Sequence, residues 1–336
     1  MKEILSKLVD GNNLTKEEAM HAQELILTGQ ATPAQIACFL TALRMKGETL
    51  DEITGLASVL RDKAQTIAPK VDNFVDFVGT GGDCTYSFNI STTSAFVVAA
   101  AGVPVAKHGN RSISSKSGAG DVLEALGVNI SADPQIVEKC VEEAGIGFMF
   151  APHFNPAMQY VGPVRKEMGI RTVFNILGPL SNPSRAKAMI VGVYSPKLTE
   201  VIAGTMMNLG VERGFVVSGC DNMDEFTLTG PSTVSEIKDG KVTTYEVFPE
   251  QFGLSRCKIE ELQGGDGTVN AQITKDILSG KEQGEKREIV LLNAGAALYI
   301  GGKADSIQGG ITLAAQTIDS GKATEVLAEL VKLTNA

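Results

Sequence analysis

The chain has 336 residues, 43% of them hydrophobic and 21% charged, with 39 acidic against 30 basic residues and a formal net charge of −9. This length and apolar content support a large core and favour two domains over one, which excludes a disordered chain. The negative balance disfavours general nucleic-acid binding, which needs a basic face, and no apolar run reaches the roughly 18 residues of a membrane span.

The start, MKEILSKLVDG, lacks the basic segment, apolar block and small-residue cleavage site of a secretory signal, so a cytoplasmic location is expected. Cys38, Cys84, Cys140, Cys220 and Cys257 are scattered, without a CxxC pair, and are expected to be small buried hydrophobes.

The first 65 or so residues read as four short helices. Three open with a capping box: Thr15 with Glu18, Thr32 with Gln35, and Thr49 with Glu52, and Pro33 stands at a first helical position. Apolar residues then recur at helical spacing, as in Ile36, Phe39, Leu40 and Leu43. A small helical domain over 1–66 is expected, joined by helices from about 160–180.

Val75, Phe77 and Val78 form a short β-prone run that ends in GTGGD at 79–83. A glycine turn between strand and helix lets backbone N–H groups converge on an anion. The same Gly79, Gly81 and Gly82 could instead simply shape a tight turn. Asp83 is out of place beside a phosphate unless it serves a metal, a sugar hydroxyl or the turn.

NIST follows at Asn89–Thr92, at the start of a helix expected over Ser91–Ala101, where the helix terminus adds partial positive charge. Ser91 and Thr92 could also cap that helix. A strand is expected over Val103–Ala106, followed by KHGNRSISSKSGAGD at 107–121, which reads as a polar loop. It sets Lys107, Arg111 and Lys116 beside Asn110, Ser112, Ser114, Ser115 and Ser117, groups suited to diphosphate oxygens. A solvated surface loop is the alternative. His108 could be an acid, an acceptor contact or a structural donor.

Helices are expected over Asp121–Leu126 and Pro134–Ala144. Arg165 and Arg171 lie in PVRKEMGIRTVFNILGPLSNP; either could hold a carboxylate in a fork or make an ion pair. The alternation resumes with a strand at Ala188–Val193, a helix at Leu198–Leu209 and a strand at Gly214–Val217, the pattern of a mostly parallel sheet flanked by helices. DNMDEF at 221–226 then places Asp224 and Glu225 just after a strand, where open α/β sheets bind ligands. Adjacent carboxylates suit Mg²⁺, although adjacent surface acids are common.

Thr233–Ile237 and Val242–Val247 flank Asp239-Gly240, a type I′ hairpin signal. Helical periodicity fills the chain from about Thr268 to its end. The expected fold class is α/β: a small helical domain, then a large α/β domain over 70–336 with a mostly parallel central sheet.

Together GTGGD, NIST, KHGNRSISS, the Asp-Glu pair and RTVFNILGPL resemble the anthranilate phosphoribosyltransferase family, in order and spacing across essentially the whole chain. The resemblance implies that 5-phosphoribosyl 1-diphosphate contacts Gly79, Gly82, Asp83, Ser87, Asn89, Ile90, Ser91, Thr92, Lys107, His108, Gly109, Asn110, Arg111, Ser112, Ile113, Ser114, Ser115 and Ala119. It implies anthranilate at Gly79, Asn110 and Arg165, the last through its carboxylate. It also implies two Mg²⁺ ions per subunit, one near Ser91 and Glu225 and one at Asp224 and Glu225, and a homodimer built on the helical domain.

Two departures stand out. SGAGD at 117–121 has Ala119 where the family usually has serine, and FNPAM at 154–158 has Asn155 where many relatives have histidine. A pyrimidine nucleoside phosphorylase of the same broad fold is the nearest rival, and KHGN and the Asp-Glu pair argue against it. A non-catalytic nucleic-acid-binding relative is disfavoured by the charge of −9.

Overall fold

The computed structural model describes residues 1–112 and 116–336. The chain begins with four helices, α1 (Lys2–Val9), α2 (Lys16–Leu27), α3 (Pro33–Lys46) and α4 (Leu50–Lys63). All three capping boxes form: Thr15, Thr32 and Thr49 each accept the amide three residues on, and Glu18, Gln35 and Glu52 return the bond. Glu52 does more, because its fully buried carboxylate also takes the Leu14 amide at 2.8 Å and the Lys46 ammonium at 2.9 Å. It thereby ties the loop before α2 to the start of α4.

The remainder runs β1 (Val75–Gly79), α5 (Ile90–Ala100), β2 (Val105–Gly109), α6 (Ala119–Ala125), α7 (Pro134–Glu143), β3 (Ile146–Phe150), α8 (Ala151–Phe154), α9 (Gly162–Met168) and α10 (Phe174–Leu180). It continues with β4 (Ala188–Gly192), α11 (Thr199–Asn208), β5 (Arg213–Gly219), β6 (Ser232–Lys238), β7 (Lys241–Val247), α12 (Gly267–Leu278), α13 (Glu285–Ile300), α14 (Ile307–Asp319) and α15 (Lys322–Thr334). The strands form one sheet in the order β3-β2-β1-β4-β5-β6-β7. β3 through β5 are parallel, and β6 and β7 add an antiparallel hairpin. Its turn has φ 51° at Asp239 and 70° at Gly240, the two positive values a type I′ turn requires.

Alternation along the strands sends side chains to two cores. Val75, Phe77 and Ile190 face α5 and the C-terminal helices, whereas Met189, Val191 and Val216 face a cluster shared with α2–α4 and with Val164, Phe174 and Leu177. Strand order reverses between β1 and β4, and the carboxyl ends of strands at such a switch point are where open α/β sheets bind ligands. No helix among the described residues is long and apolar enough to cross a membrane.

Two expectations are corrected, and one strand was not anticipated. Lys107 and His108 are not in the polar loop expected after Ala106: β2 continues through Gly109, in register with β3, and both side chains are buried. Ile146–Phe150 forms a strand that the periodicity does not single out, because at five residues it passes directly into α8. Of the five cysteines only Cys140 is buried; Cys38, Cys84 and Cys220 are exposed, Cys84 in the irregular stretch after β1 and Cys220 at the turn after β5.

Candidate active site

The carboxyl ends of β1, β2, β4 and β5 are all glycines: Gly79, Gly109, Gly192 and Gly219. At two of them the reason is close approach. A Cβ on Gly79 would stand 2.1 Å from Asp224 Oδ2, and one on Gly192 would stand 1.5 Å from the Asp224 carbonyl oxygen. The segment carrying the acidic pair therefore lies directly on the ends of β1 and β4. Gly81 closes the arrangement, donating its amide to Asp224 Oδ2 at 2.6 Å, while the Thr80 amide reaches the Gly192 carbonyl at 2.9 Å.

Helix α5 points its first turn into the same place. Its N-cap, Asn89, makes no side-chain cap, and neither Ser91 nor Thr92 supplies one. Instead the Ser91 amide donates to Glu225 Oε1 at 3.2 Å. Lys107 reaches across from β2, donating to the Phe77 carbonyl at 2.5 Å and to Ser91 Oγ at 3.3 Å. The glycine turn, the helix terminus, the lysine and the acidic pair thus form one cluster.

Its electrostatics are unbalanced toward negative charge. Burial, and then Asp83, push the half-buried Asp224 up to about 7; burial, and then Asp224, push Glu225 up to about 8. Lys107 is driven down by its own burial, against the pull of Asp76, Glu225 and Asp224. Two adjacent carboxylates facing one desolvated lysine fit a hard divalent cation, which would relieve their repulsion. Among the described residues no group of three or more His, Cys, Asp or Glu side chains could hold a metal. Mg²⁺ takes one or two protein carboxylates and fills its other positions with water and phosphate oxygens, a contribution the Asp224–Glu225 pair could make.

The other expected donor contacts are distributed unevenly. Asp83 accepts the Thr85 hydroxyl at 2.5 Å, and Ser87 pairs as an isolated bridge with Gln263. Asn89 holds Ser117, which donates to its Oδ1 at 3.1 Å, and Asn270 donates to the same oxygen at 2.8 Å. The Ile90 side chain is in the core and its amide is bonded to the Phe88 carbonyl. The side chain of Thr92 is buried.

Arg111 is turned away, paired with Glu124 at 2.6 Å and resting over the Phe150 ring. The Ser112 amide donates to Asp121 Oδ2 at 2.8 Å. Ala119 packs toward Gly109, 3.2 Å from where a Cβ on that glycine would stand. Ile113, Ser114 and Ser115 lie outside the described residues.

His108 resolves as a structural group. Its Nε2 lies 3.2 Å from Asn155 Nδ2, and its ring also bonds the Gly178 backbone. Burial, followed by the charge of Lys107, holds its pKa down at about 4, so it is neutral.

Asn110 is exposed, its Oδ1 accepting the Arg111 amide at 2.7 Å. Arg165, half-buried on α9, makes no side-chain hydrogen bond or ion pair among the described residues and lies over the Phe174 ring at 5.5 Å. A partly desolvated guanidinium without a carboxylate is ready to take one from a ligand. Among the described residues no hydrogen bond or ion pair joins Arg165 to Gly79 or Asn110. Arg171 makes no ion pair there either: it donates to the Gly82 carbonyl and stacks on Tyr194.

Two supporting residues escaped the sequence reading. Asp76 is fully buried in β1, where it accepts Asn182 Nδ2 at 2.6 Å and the His108 amide at 3.3 Å. Asn182 also donates to the Ala106 carbonyl at 2.9 Å. A charged residue inside the apolar run of a central strand was the available signal for Asp76; Asn182 carries none.

Comparison with known proteins agrees with this architecture. The family model described as the glycosyl transferase family a/b domain matches residues 71–324, and that of the family's helical bundle domain matches residues 2–64. An anthranilate phosphoribosyltransferase of Acetivibrio thermocellus is 55% identical over 336 residues, covering 100% of this chain and 97% of its own. The crystal structure of anthranilate phosphoribosyltransferase from Thermus thermophilus superposes with a TM-score of 0.95 at 41% identity, over 99% of both chains. The Saccharomyces cerevisiae enzyme in complex with PRPP and Mg superposes with a TM-score of 0.91 at 28% identity, over 99% of this chain and 97% of the other. Matched end to end by these proteins, and by both domain models in order, the chain belongs to the glycosyl transferase family and, within it, to the anthranilate phosphoribosyltransferases.

Proposed function

We propose that this chain transfers the phosphoribosyl group of 5-phosphoribosyl 1-diphosphate to anthranilate. The products are N-(5-phosphoribosyl)anthranilate and diphosphate, the second step of tryptophan biosynthesis. The observation that carries the reading is the convergence of Gly81 on Asp224, of Ser91 on Glu225 and of Lys107 on Ser91 at one crevice. Family membership at 55% identity supports the same activity.

On this reading the donor's diphosphate lies against the turn Gly79–Asp83, the first turn of α5 and Lys107. Backbone amides and the helix terminus there stabilise negative charge as it develops on the leaving group. Asp224, Glu225 and Ser91 would hold Mg²⁺, two ions per subunit, and that metal would supply positive charge for the diphosphate leaving group. Arg165 orients the acceptor through its carboxylate. An aromatic amine is already neutral at pH 7, so no strong base is required, in keeping with a neutral His108 engaged elsewhere. Much of the remaining rate enhancement comes from positioning the amine against the ribose carbon.

The reading extends to a division into 1–66, with helices from 160–180, and 70–336, to a homodimer through the helical part, and to a cytoplasmic location. The test of the activity is loss of anthranilate fluorescence when purified protein, Mg²⁺ and 5-phosphoribosyl 1-diphosphate are combined, with diphosphate released one for one. Thymidine consumption with phosphate, and no loss of anthranilate, would replace the reading.

A further inference from the structure

Arg171 lies between three parts of the molecule. Its carbonyl accepts from Arg44, in the last turn of α3. Its guanidinium donates to the Gly82 carbonyl and sits 4.3 Å from the centroid of Tyr194, just past β4. Among the described residues it has no acidic partner, and the only other donor to the Gly82 carbonyl there is the weak Cys84 thiol at 3.7 Å.

The geometry of a peptide gives this contact a consequence. In a trans peptide the C=O of residue 82 and the N–H of residue 83 point in opposite directions. Gly81 and Gly82 both have positive φ, 66° and 74°, and lack side chains to resist rotation of the linking planes. Free to rotate, the Gly82 carbonyl could turn toward an incoming anion and repel it. Held by a charged donor, it is fixed toward Arg171, and the Asp83 amide faces the other way.

We propose that Arg171 is a positioning residue for the donor site: it pins the Gly82 carbonyl away from the crevice so that the turn presents N–H groups to a diphosphate. Through Arg44 the same residue makes the orientation of the turn depend on the helical bundle. This rests on the reading that the glycine turn takes the donor's diphosphate, and it adds a residue that touches no substrate.

The test compares Arg171→Met, which keeps the aliphatic stem, with Arg171→Lys, which restores a cationic donor. KM is measured separately for each substrate at saturating Mg²⁺. Loss of a charge-assisted hydrogen bond predicts a rise in the KM for 5-phosphoribosyl 1-diphosphate of roughly tenfold or more in Arg171→Met. The anthranilate KM and the kcat at saturating donor should stay within about threefold, and Arg171→Lys should recover most of the loss. Arg44→Met should give a smaller rise in the same KM.

Equal rises in both KM values, or an unchanged donor KM in a folded Arg171→Met, would overturn the proposal. If Arg171→Met does not fold, Arg171→Lys and Arg44→Met decide, and an unchanged donor KM in both overturns it. Calorimetric titration of inorganic diphosphate with Mg²⁺ separates this proposal from the transferase reading. Weaker binding to Arg171→Met supports the positioning role even in a protein that consumes no anthranilate, and equal binding ends it.

Discussion

Glu225 accepts the Ser91 amide at 3.2 Å across 134 residues of sequence, so a buried carboxylate does the work normally left to a local N-cap. The positive end of α5 is thereby joined to the acidic pair, and Lys107 joins both through Ser91 Oγ. A helix terminus capped by a displaceable acid can give up its amide to a phosphate once a cation engages the carboxylate.

Gly79→Ala is expected to abolish most transferase activity, by about 100-fold or more, because its Cβ would stand 2.1 Å from Asp224 Oδ2 and must displace that side chain. Overpacking of this kind costs about 1–3 kcal/mol, so the fold should survive. Steady-state rates and urea unfolding of the same preparation check both halves.

Arg165→Ala should act on the acceptor. Its guanidinium has no protein carboxylate to satisfy, so its loss leaves the apoprotein about as stable as before, within about 1 kcal/mol. The anthranilate KM should rise by about tenfold or more, with the donor KM nearly constant, as removal of a bidentate carboxylate contact predicts. A donor KM that rises equally would move Arg165 out of the acceptor site.

His108 makes a pH prediction with a definite sign. Its folded pKa is about 4 against an ordinary value of 6.5, so the unfolded chain binds the proton first. Stability from this group is complete above pH 6.5 and is lost as pH falls through 4, by up to about 3 kcal/mol. Asp76, raised to about 6 by burial, acts in the opposite sense over part of this range, so the wild-type profile alone is not diagnostic. His108→Gln should be less stable than wild type at pH 7, and the gap should close toward pH 4. Denaturant unfolding at several pH values measures it, and a gap independent of pH would contradict a neutral buried imidazole.

Arg61 secures α4 to the rest of the chain. Only 4% exposed, it donates to the Leu180 carbonyl at 2.6 Å and the Leu209 carbonyl at 2.9 Å, the ends of α10 and α11. Burial lowers its pKa to about 10, which leaves it charged at neutrality beside two negative helix ends. Arg61→Met should cost about 2–4 kcal/mol by orphaning both carbonyls, with the specific activity of the folded fraction little changed. Thermal melts and activity per folded molecule test this.

How much of this was legible in the sequence depends on where the determinants lie. The capping boxes at Thr15, Thr32 and Thr49 and the Asp239-Gly240 turn are local, and they form as written. GTGGD announced a turn, but its first glycine exists for Asp224, more than a hundred residues on. Lys107 and His108 read as loop residues because their burial is repaid by groups no local pattern connects: Ser91 and Phe77 for one, Asn155 and Gly178 for the other. Arg171 offered two readings, ion pair or substrate, and the structure gives a third, since a backbone carbonyl has no signature in sequence.

The central claim is that the glycine turn, the start of α5 and the acidic pair act together on one metal-chelated diphosphate. The most direct measurement follows anthranilate fluorescence across a Mg²⁺ titration, for wild type and for Asp224→Ala with Glu225→Ala. The account predicts Mg²⁺-dependent loss of fluorescence in the wild type and, in the double variant, a response weakened by about 100-fold or shifted to far higher Mg²⁺. Superimposable titrations of the two proteins would contradict it.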